Sequence, residues 1–317
     1  MPQIRFSVVI TCYNHAGYIG DAVDSALRQS WAPAQIIVVD DASTDTSVEV
    51  LRRYGNTITL IAHSQNQGIS KARNAGTAPA TGDYLVYLDG DDILKPWALA
   101  AYEQLVQTRH AAVILASLSW FEGSPPTCTR EDFPPSIDFV EYKRLADKDR
   151  SFRSSASAIV VERRKVLDVG GWTESVAFMQ DHDLLAKLAD TGPAVQILSP
   201  ATVFYRSHAS NSFKDTGRLL KDCHNLLAAW RSRPEGRASA RSLVGGPVFF
   251  VLRRACAARL YREAARVLAR SWFVVAAAAL SRLRALVFGR HPSQVLAVNF
   301  KETHNAPAAA AHHYSTQ

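Results

Sequence analysis

Four short apolar runs govern what this chain can fold into: Phe6–Thr11, Gln35–Val39, Ile58–Ile61 and Tyr84–Leu88. The first is too continuously apolar to leave one face in water, and such runs suit a parallel sheet covered on both sides. Between them run helical patterns. Ile19, Ala22, Val23, Ala26 and Leu27 recur at the spacing of one helix face. Thr46 with Glu49 reads as a capping box, and Val48 and Leu51 begin the buried face behind it. Asn66–Gly68 forms a turn before a helix through Ala72, Arg73 and Ala75 that stops at Gly76. Pro96 suits a first helical turn, a helix runs on to Thr108, and Ala112–Leu118 is a fifth strand. Such alternation predicts an α/β fold with a doubly wound, mostly parallel sheet and helices on both faces.

Two of these strands end in acids. The second runs into Asp40-Asp41 and the fourth into Asp89-Gly90-Asp91-Asp92. In open α/β sheets ligands sit beyond the carboxyl ends of the strands, so both acidic ends would face one crevice. Crowded carboxylates stay ionised together only beside a cation or a cationic partner. An Asp-x-Asp strand end offers hard oxygen ligands to a divalent metal. A polar turn, for which Asp and Gly are common residues, is the plainer reading of the same letters.

Further along, 119–150 reads as loop, with Pro125-Pro126 and Pro134-Pro135. Ser155–Val160 is a small-residue strand, and a short helix from Arg163 ends at Gly170-Gly171-Trp172. Gln180-Asp181-His182-Asp183 leads into an amphipathic helix with Leu184, Leu185 and Leu188 on one side, stopped by Gly192-Pro193. Asp181 or Asp183 would serve there as an N-cap if it has no chemical role. Val195–Leu198 and Thr202–Tyr205 are short strands, and Arg206–Ser212 is a polar loop.

The 317 residues suffice for one large α/β domain with an extension. Cys12, Cys128, Cys223 and Cys256 are too scattered for a metal cluster or a disulfide framework, which points to a reducing, cytoplasmic setting. Met1–Arg5 leads straight into a strand with no signal-peptide pattern. Net charge is +7 but uneven: 249–290 holds nine arginines and one acid, Glu263, a net +8, while the remainder has 27 basic and 28 acidic residues. Arg259, Arg262, Arg266 and Arg270 recur on one helical face, with Ala257, Leu260, Ala264 and Leu268 opposite. The apolar run Trp272–Leu280 is nine residues long, against about 20 for a bilayer span. Such a segment predicts either a helix lying in an anionic membrane surface, peripheral on the inner face of the plasma membrane, or a helical subdomain packed on the core. Residues 301–317 read as a disordered tail.

The motif series Val-Val-Ile-Thr-Cys-Tyr-Asn, Ile-Val-Val-Asp-Asp-Ala-Ser-Thr-Asp, Asn-Gln-Gly-Ile-Ser-Lys-Ala-Arg-Asn-Ala-Gly, Tyr-Leu-Asp-Gly-Asp-Asp, Gly-Gly-Trp and Gln-Asp-His-Asp-Leu resembles the family-2 inverting glycosyltransferases of GT-A fold. The likeness covers roughly residues 4–212. It implies a glycosyltransferase domain over 1–212; beyond it the likeness fades, and the residues themselves read as a basic helical extension over 213–300. By resemblance, Thr11, Tyr13 and Asp41 line a nucleotide pocket, with Tyr13 packed on the base and Asp41 accepting from a ring nitrogen. Arg73 approaches the diphosphate. Asp89 contacts the ribose or the metal through water, and Asp91 ligates Mn²⁺ or Mg²⁺. Asp181 matches the catalytic base, although Gln180 stands where relatives usually carry Glu. Arg206 and His208 match a Tyr-Arg-x-His stretch near the diphosphate or metal, which makes His208 a second metal candidate. The implied partners are a nucleotide-diphosphate sugar, UDP- or dTDP-linked by preference, and a glycan or lipid-linked acceptor. The absence of a Gln-x-x-Arg-Trp motif and of long apolar spans favours transfer of one sugar per visit over processive synthesis.

Two other classes stand beside this. A nucleotidyltransferase also uses strand-end aspartates, but wants a glycine-rich basic phosphate loop after the first strand, and Thr11–Gly17 has no Lys or Arg. A non-catalytic nucleotide-sugar or membrane-surface binding protein would keep the fold without needing Asp91 and Asp181. The arginine segment matches no nucleic-acid module, so no nucleic-acid partner is expected.

Overall fold

A computed structural model describes residues 3–129, 132–148, 155–208, 215–233, 240–287 and 295–299, the side chains of 242 and 281–287 excepted. In chain order the elements are β1 (Phe6–Cys12), α1 (Ile19–Leu27), β2 (Gln35–Asp40), α2 (Ser47–Arg52), β3 (Thr59–Ala62), α3 (Ile69–Thr77), β4 (Tyr84–Asp89), β5 (Ile93–Leu94) and α4 (Ala98–Arg109). There follow β6 (Val113–Leu115), β7 (Leu118–Phe121), β8 (Ser136–Tyr142), β9 (Ile159–Glu162), α5 (Arg163–Asp168), α6 (Gln180–Lys187), β10 (Ala194–Ser199) and β11 (Val203–Arg206). The chain continues through α7 (Thr216–Arg231), α8 (Arg241–Ala257), α9 (Tyr261–Val287) and β12 (Leu296–Asn299).

The main sheet has nine strands in the order β12-β8-β10-β6-β9-β4-β1-β2-β3. β3, β2, β1 and β4 are mutually parallel, as the apolar runs predict. β9 runs against β4 and β6, and β8 runs against β10 and β12. The other seven strands therefore share one direction, and the sheet is mostly parallel. A second sheet, β5-β11-β7, starts at Ile93 directly after the acidic end of β4.

Alternation along the strands divides the core in two. Phe6, Val8, Ile10, Ile36 and Val38 pack with α1 and α4 on one face. Val9, Ile37, Val39, Leu85 and Tyr87 join Leu184, Leu226, Trp230, Val244, Val248, Val267 and Val274 on the other. Helices α7, α8 and α9 thus belong to the same buried cluster as the strands. The packed-subdomain reading of the extension holds for the buried side of these helices. The tail, 301–317, lies outside the described residues.

Four expectations are corrected. The fifth strand is two: β6 stays in the main sheet while β7 crosses to the second, with Ser117 O accepting from Thr202 and Val203 N–H between them. The region expected to be loop holds β8, whose Ile137, Phe139 and Val140 are buried. Ser155–Ala158 opens with a 3-10 turn in which Ser155 Oγ accepts from Ser157 N–H, and the strand begins only at Ile159. Thr46 stands at the N-cap of α2 without a side-chain bond, its backbone at φ −81°, ψ 16° rather than in the extended region that capping uses, and Asp45 Oδ1 accepts from Ser47 N–H at 2.9 Å.

The packing predicts thiol behaviour. Burial pushes Cys12 and Cys223 up to about 12, whereas Cys256 is exposed. Reactivity follows thiolate and access, so native labelling with iodoacetamide at mildly alkaline pH should modify Cys256 first. Cys12 and Cys223 should react only after denaturation, as peptide mass mapping would show.

Candidate functional site

The parallel register sets the site. Thr11 pairs with Asp89 and Cys12 with Asp40, so the ends of β1, β2 and β4 reach the same edge. Gly90 N–H donates to Thr11 O at 2.9 Å. A Cβ on Gly90 would lie 2.7 Å from that oxygen, so the turn between Asp89 and Asp91 needs a glycine.

Each carboxylate at this edge has a partner. Arg73, 1% exposed, donates from Nη2 to Asp89 Oδ1 at 2.6 Å and lies 4.6 Å from the Trp172 ring centroid. Its Nε and Nη1 are buried with no hydrogen-bond partner among the described residues, and the same holds for Thr11 Oγ1. Asp91 Oδ2 and His208 Nε2 are 2.8 Å apart, and the imidazole stacks on Tyr18. Asp92 is buried, accepting from Ser157 Oγ at 2.6 Å and from Arg206 N–H at 3.0 Å. Burial, then the charges of Asp91 and Asp89, hold its carboxyl well above the usual range. Arg206 donates to Asp91 O, Gly123 O and Asp21 Oδ2, tying β11 to α1 and to the end of β4. It acts as a buried strut.

Asp41 lies one strand over and is 3% exposed. Its Oδ1 meets His63 Nδ1 at 2.8 Å and accepts from Gln67 N–H at 2.9 Å, while Oδ2 accepts from Gly68 N–H at 2.8 Å. A carboxylate has about four acceptor positions, so one is left. Tyr13 is 44% exposed in the loop after β1, free to offer its ring face.

Asp181 is in the first turn of α6 and nearly buried, with Oδ1 accepting from His182 N–H at 2.8 Å. The N-cap is Met179, so neither Asp181 nor Asp183 caps the helix. Burial holds His182 below its ordinary imidazole value. Asp181 and the β4 acids share a neighbourhood at Tyr205, whose phenol is raised by burial and then by Asp92, Asp89, Asp91 and Asp181. Motifs far apart in the chain also interlock here. Asn74 accepts from Trp172 N–H at 2.8 Å and donates to Trp172 O at 2.9 Å, fixing Gly-Gly-Trp beside Arg73. A cavity of ≈ 460 Å³ behind this edge, near Asp21, Ile93 and Cys128, is lined by none of the eight predicted residues.

Comparison with known proteins decides the family. The model for Glycosyl transferase family 2 matches residues 7–168. The chain belongs to this family. GlyG, a glycosyltransferase of Streptococcus pneumoniae, is 32% identical over 158 residues, covering 47% of this chain and 52% of the relative. An uncharacterized glycosyltransferase of Nostoc sp. is 35% identical over 128 residues, covering 39% of each chain. The chain thus spans about half the length, or less, of these two relatives. Among solved structures, S. aureus TarS 1–349 in complex with UDP-GlcNAc matches with a TM-score of 0.59 at 16% identity, covering 77% of this chain and 72% of that one. The mannosyltransferase PcManGT of Pyrobaculum calidifontis, in complex with GDP-Man and Mn²⁺, matches with a TM-score of 0.51 at 18% identity, covering 91% and 89%. These likenesses support the GT-A fold expected from the motifs. The family match ends before Asp181.

Sequence reasoning missed three side chains. His63 braces Asp41 from the end of β3. Asp222 of α7, 2% exposed, accepts from Ala177, Phe178 and Met179 N–H at 2.8–2.9 Å, gripping the segment that leads into Asp181. Arg233 donates to Asp183 Oδ1 at 3.0 Å and to Thr173 Oγ1 at 2.9 Å. Asp222 left one signal: an acid among Leu219, Leu220, Cys223 and Leu226 on an apolar helix face.

Lys187 gives this region a pH signature. It donates to Gly171 O at 2.6 Å and is pushed down to about 8, chiefly by burial, opposed by Asp183 and reinforced by Arg233. An unfolded lysine titrates near ~10.4. Between those values the unfolded chain holds a proton that the folded chain has released, so this residue's contribution to stability rises with pH and is lost as pH falls through about 8. In urea unfolding series across that window, the stability of wild type relative to Lys187→Met should increase with pH. A difference that stays flat would contradict this.

Proposed function

We propose that this protein transfers one sugar from a nucleotide-diphosphate sugar, UDP- or dTDP-linked by preference, to a hydroxyl of a glycan or lipid-linked acceptor, with inversion. Family membership supports the reaction class, and UDP-GlcNAc and GDP-Man in the solved relatives support the donor class. The observation that carries the reading is Arg73. A buried guanidinium spends one N–H on Asp89 and leaves Nε and Nη1 without a hydrogen-bond partner among the described residues. Buried charged donors left unpaired cost several kcal/mol, by order of magnitude, and the oxygens of a donor diphosphate would satisfy them.

Asp91 and His208 fit a divalent cation in part. The carboxylate suits Mn²⁺ or Mg²⁺, and the two groups already face each other across 2.8 Å. Among the described residues no group of three or more His, Cys, Asp or Glu side chains forms a ready-made metal cage. A bound ion would therefore draw further ligands from phosphate and water, as Mg²⁺ commonly does. The ion would supply Lewis-acid stabilisation of the charge on the departing diphosphate.

The chain's own residues do the rest. The Tyr13 ring takes the base, and the remaining acceptor position of Asp41 takes its N–H. Asp181 removes the proton of the acceptor hydroxyl as that oxygen bonds to the anomeric carbon, while the bond from that carbon to the diphosphate oxygen breaks on the opposite face. Asp222 positions Asp181 through the three N–H groups it holds. Because α7 supplies that grip, we place the boundary at 212 within one cooperative unit.

Thermal unfolding tests the donor site. A ligand that binds only the folded state stabilises it by ~2.7 kcal/mol at a hundred times its dissociation constant. UDP or dTDP should raise the midpoint in a Mn²⁺-dependent way, GDP and ADP less, and Asp91→Ala should lose the effect. No shift with any nucleotide, in a folded sample, would sink the donor assignment.

Kinetics test the base. Asp181→Asn should keep the nucleotide-induced shift while kcat falls by ~10²–10⁴-fold. Asp222→Asn should lower kcat with little change in donor KM. Equal losses in both parameters would reduce Asp222 to a purely structural residue.

A further inference from the structure

Helix α9 has two faces of opposite character. Ala264, Val267, Ser271, Val274 and Ala278 are buried against the rest of the protein. Outward point Tyr261 (61% exposed), Leu268 (44%), Trp272 (64%) and Leu280 (58%). At 3.6 residues per turn these four fall within an arc of about 120°, along roughly 28 Å of helix. Arg262, Arg266 and Arg270, all exposed, form a row of about 12 Å along one edge of that arc. Arg259, expected to extend this row, stands outside the helix in a left-handed turn at φ 58°. The apolar strip is therefore additional to the face that α9 has already buried.

From this arrangement we infer that the outward face of α9 docks on an anionic phospholipid surface. Exposed Trp, Tyr and Leu on one arc cost solvation in water and gain it at the boundary between headgroup and acyl chain, where aromatic rings are favoured. The arginine row beside them complements anionic headgroups, each cation near such a surface adding attraction that falls off within a Debye length. The charge is local: 249–290 carries a net +8 while the remainder is close to neutral. Among the described residues no helix is long and apolar enough to cross a membrane, so this helix lies on the surface. The docking face is independent of the transfer reaction and stands or falls without it.

Co-sedimentation of the full chain with vesicles tests the inference. Wild type should bind mixed phosphatidylcholine–phosphatidylglycerol vesicles, be released by salt, and ignore pure phosphatidylcholine. Replacing Arg262, Arg266 and Arg270 with Gln should weaken binding on the order of a hundredfold at low salt. Trp272→Glu combined with Leu268→Glu should abolish it, with the thermal midpoint and any nucleotide-induced shift unchanged because both side chains are solvent-facing. Folded wild type that ignores anionic vesicles would overturn the inference, as would a Glu variant that binds like wild type. A wild-type dimer in light scattering that the Glu variant dissolves would assign the face to a second copy of the chain instead.

Discussion

Everything at the carboxyl edge depends on how five aspartates are kept from repelling one another. Asp40, Asp41, Asp89, Asp91 and Asp92 arrive together because β1, β2 and β4 are parallel and in register. Each is then answered locally. Asp40 takes the N–H and hydroxyl of Ser43, Asp41 takes His63 and the start of α3, Asp89 takes Arg73, Asp91 takes His208, and Asp92 takes Ser157 and the Arg206 backbone. The answers differ in kind. Burial and the neighbouring carboxylates Asp91 and Asp89 push Asp92 toward its protonated form, against the bonds it accepts from Ser157 and the Arg206 backbone. Arg73 gives Asp89 one N–H, and among the described residues its Nε and Nη1 are buried without a hydrogen-bond partner.

Much of this was legible from the letters. Continuous apolar runs announced the parallel strands, and the acids after Val39 and Leu88 announced the edge. What the letters could not carry was pairing at long range. Nothing local in Ala112–Leu118 says that the strand will split between two sheets; the break depends on Thr202 and Val203 arriving from far along the chain. Pro125-Pro126 and Pro134-Pro135 read as loop, and β8 forms just beyond them because β10 and β12 supply its partners. Thr46 had the right type and spacing for a cap, yet its backbone at φ −81°, ψ 16° leaves the side chain without a cap bond. At the candidate site the sequence pointed to the acids together with Arg73 and His208 and missed the other supports, since a brace such as His63 or Asp222 is recognisable only once its partner is in place.

The extension is where the two readings meet. Its arginines and its apolar run looked like a surface segment. In the structure, α3 lies against Val9 and Val39, α7 and α8 pack on α6 within the same buried cluster, and α9 is buried along one side only. A single segment thus supplies core, support for the site and an outward face with its own chemistry.

The grip of Asp222 on the 177–179 backbone bears on how such proteins can diverge or be recombined. A crossover near residue 212 looks permissible from the motifs, all of which lie before it. It would nevertheless pair one parent's Asp181 segment with another parent's α7, and a lost carboxylate there would leave the N–H groups of 177–179 without their acceptor, that of Met179 in a buried setting. The inherited unit is therefore longer than the motif-bearing part.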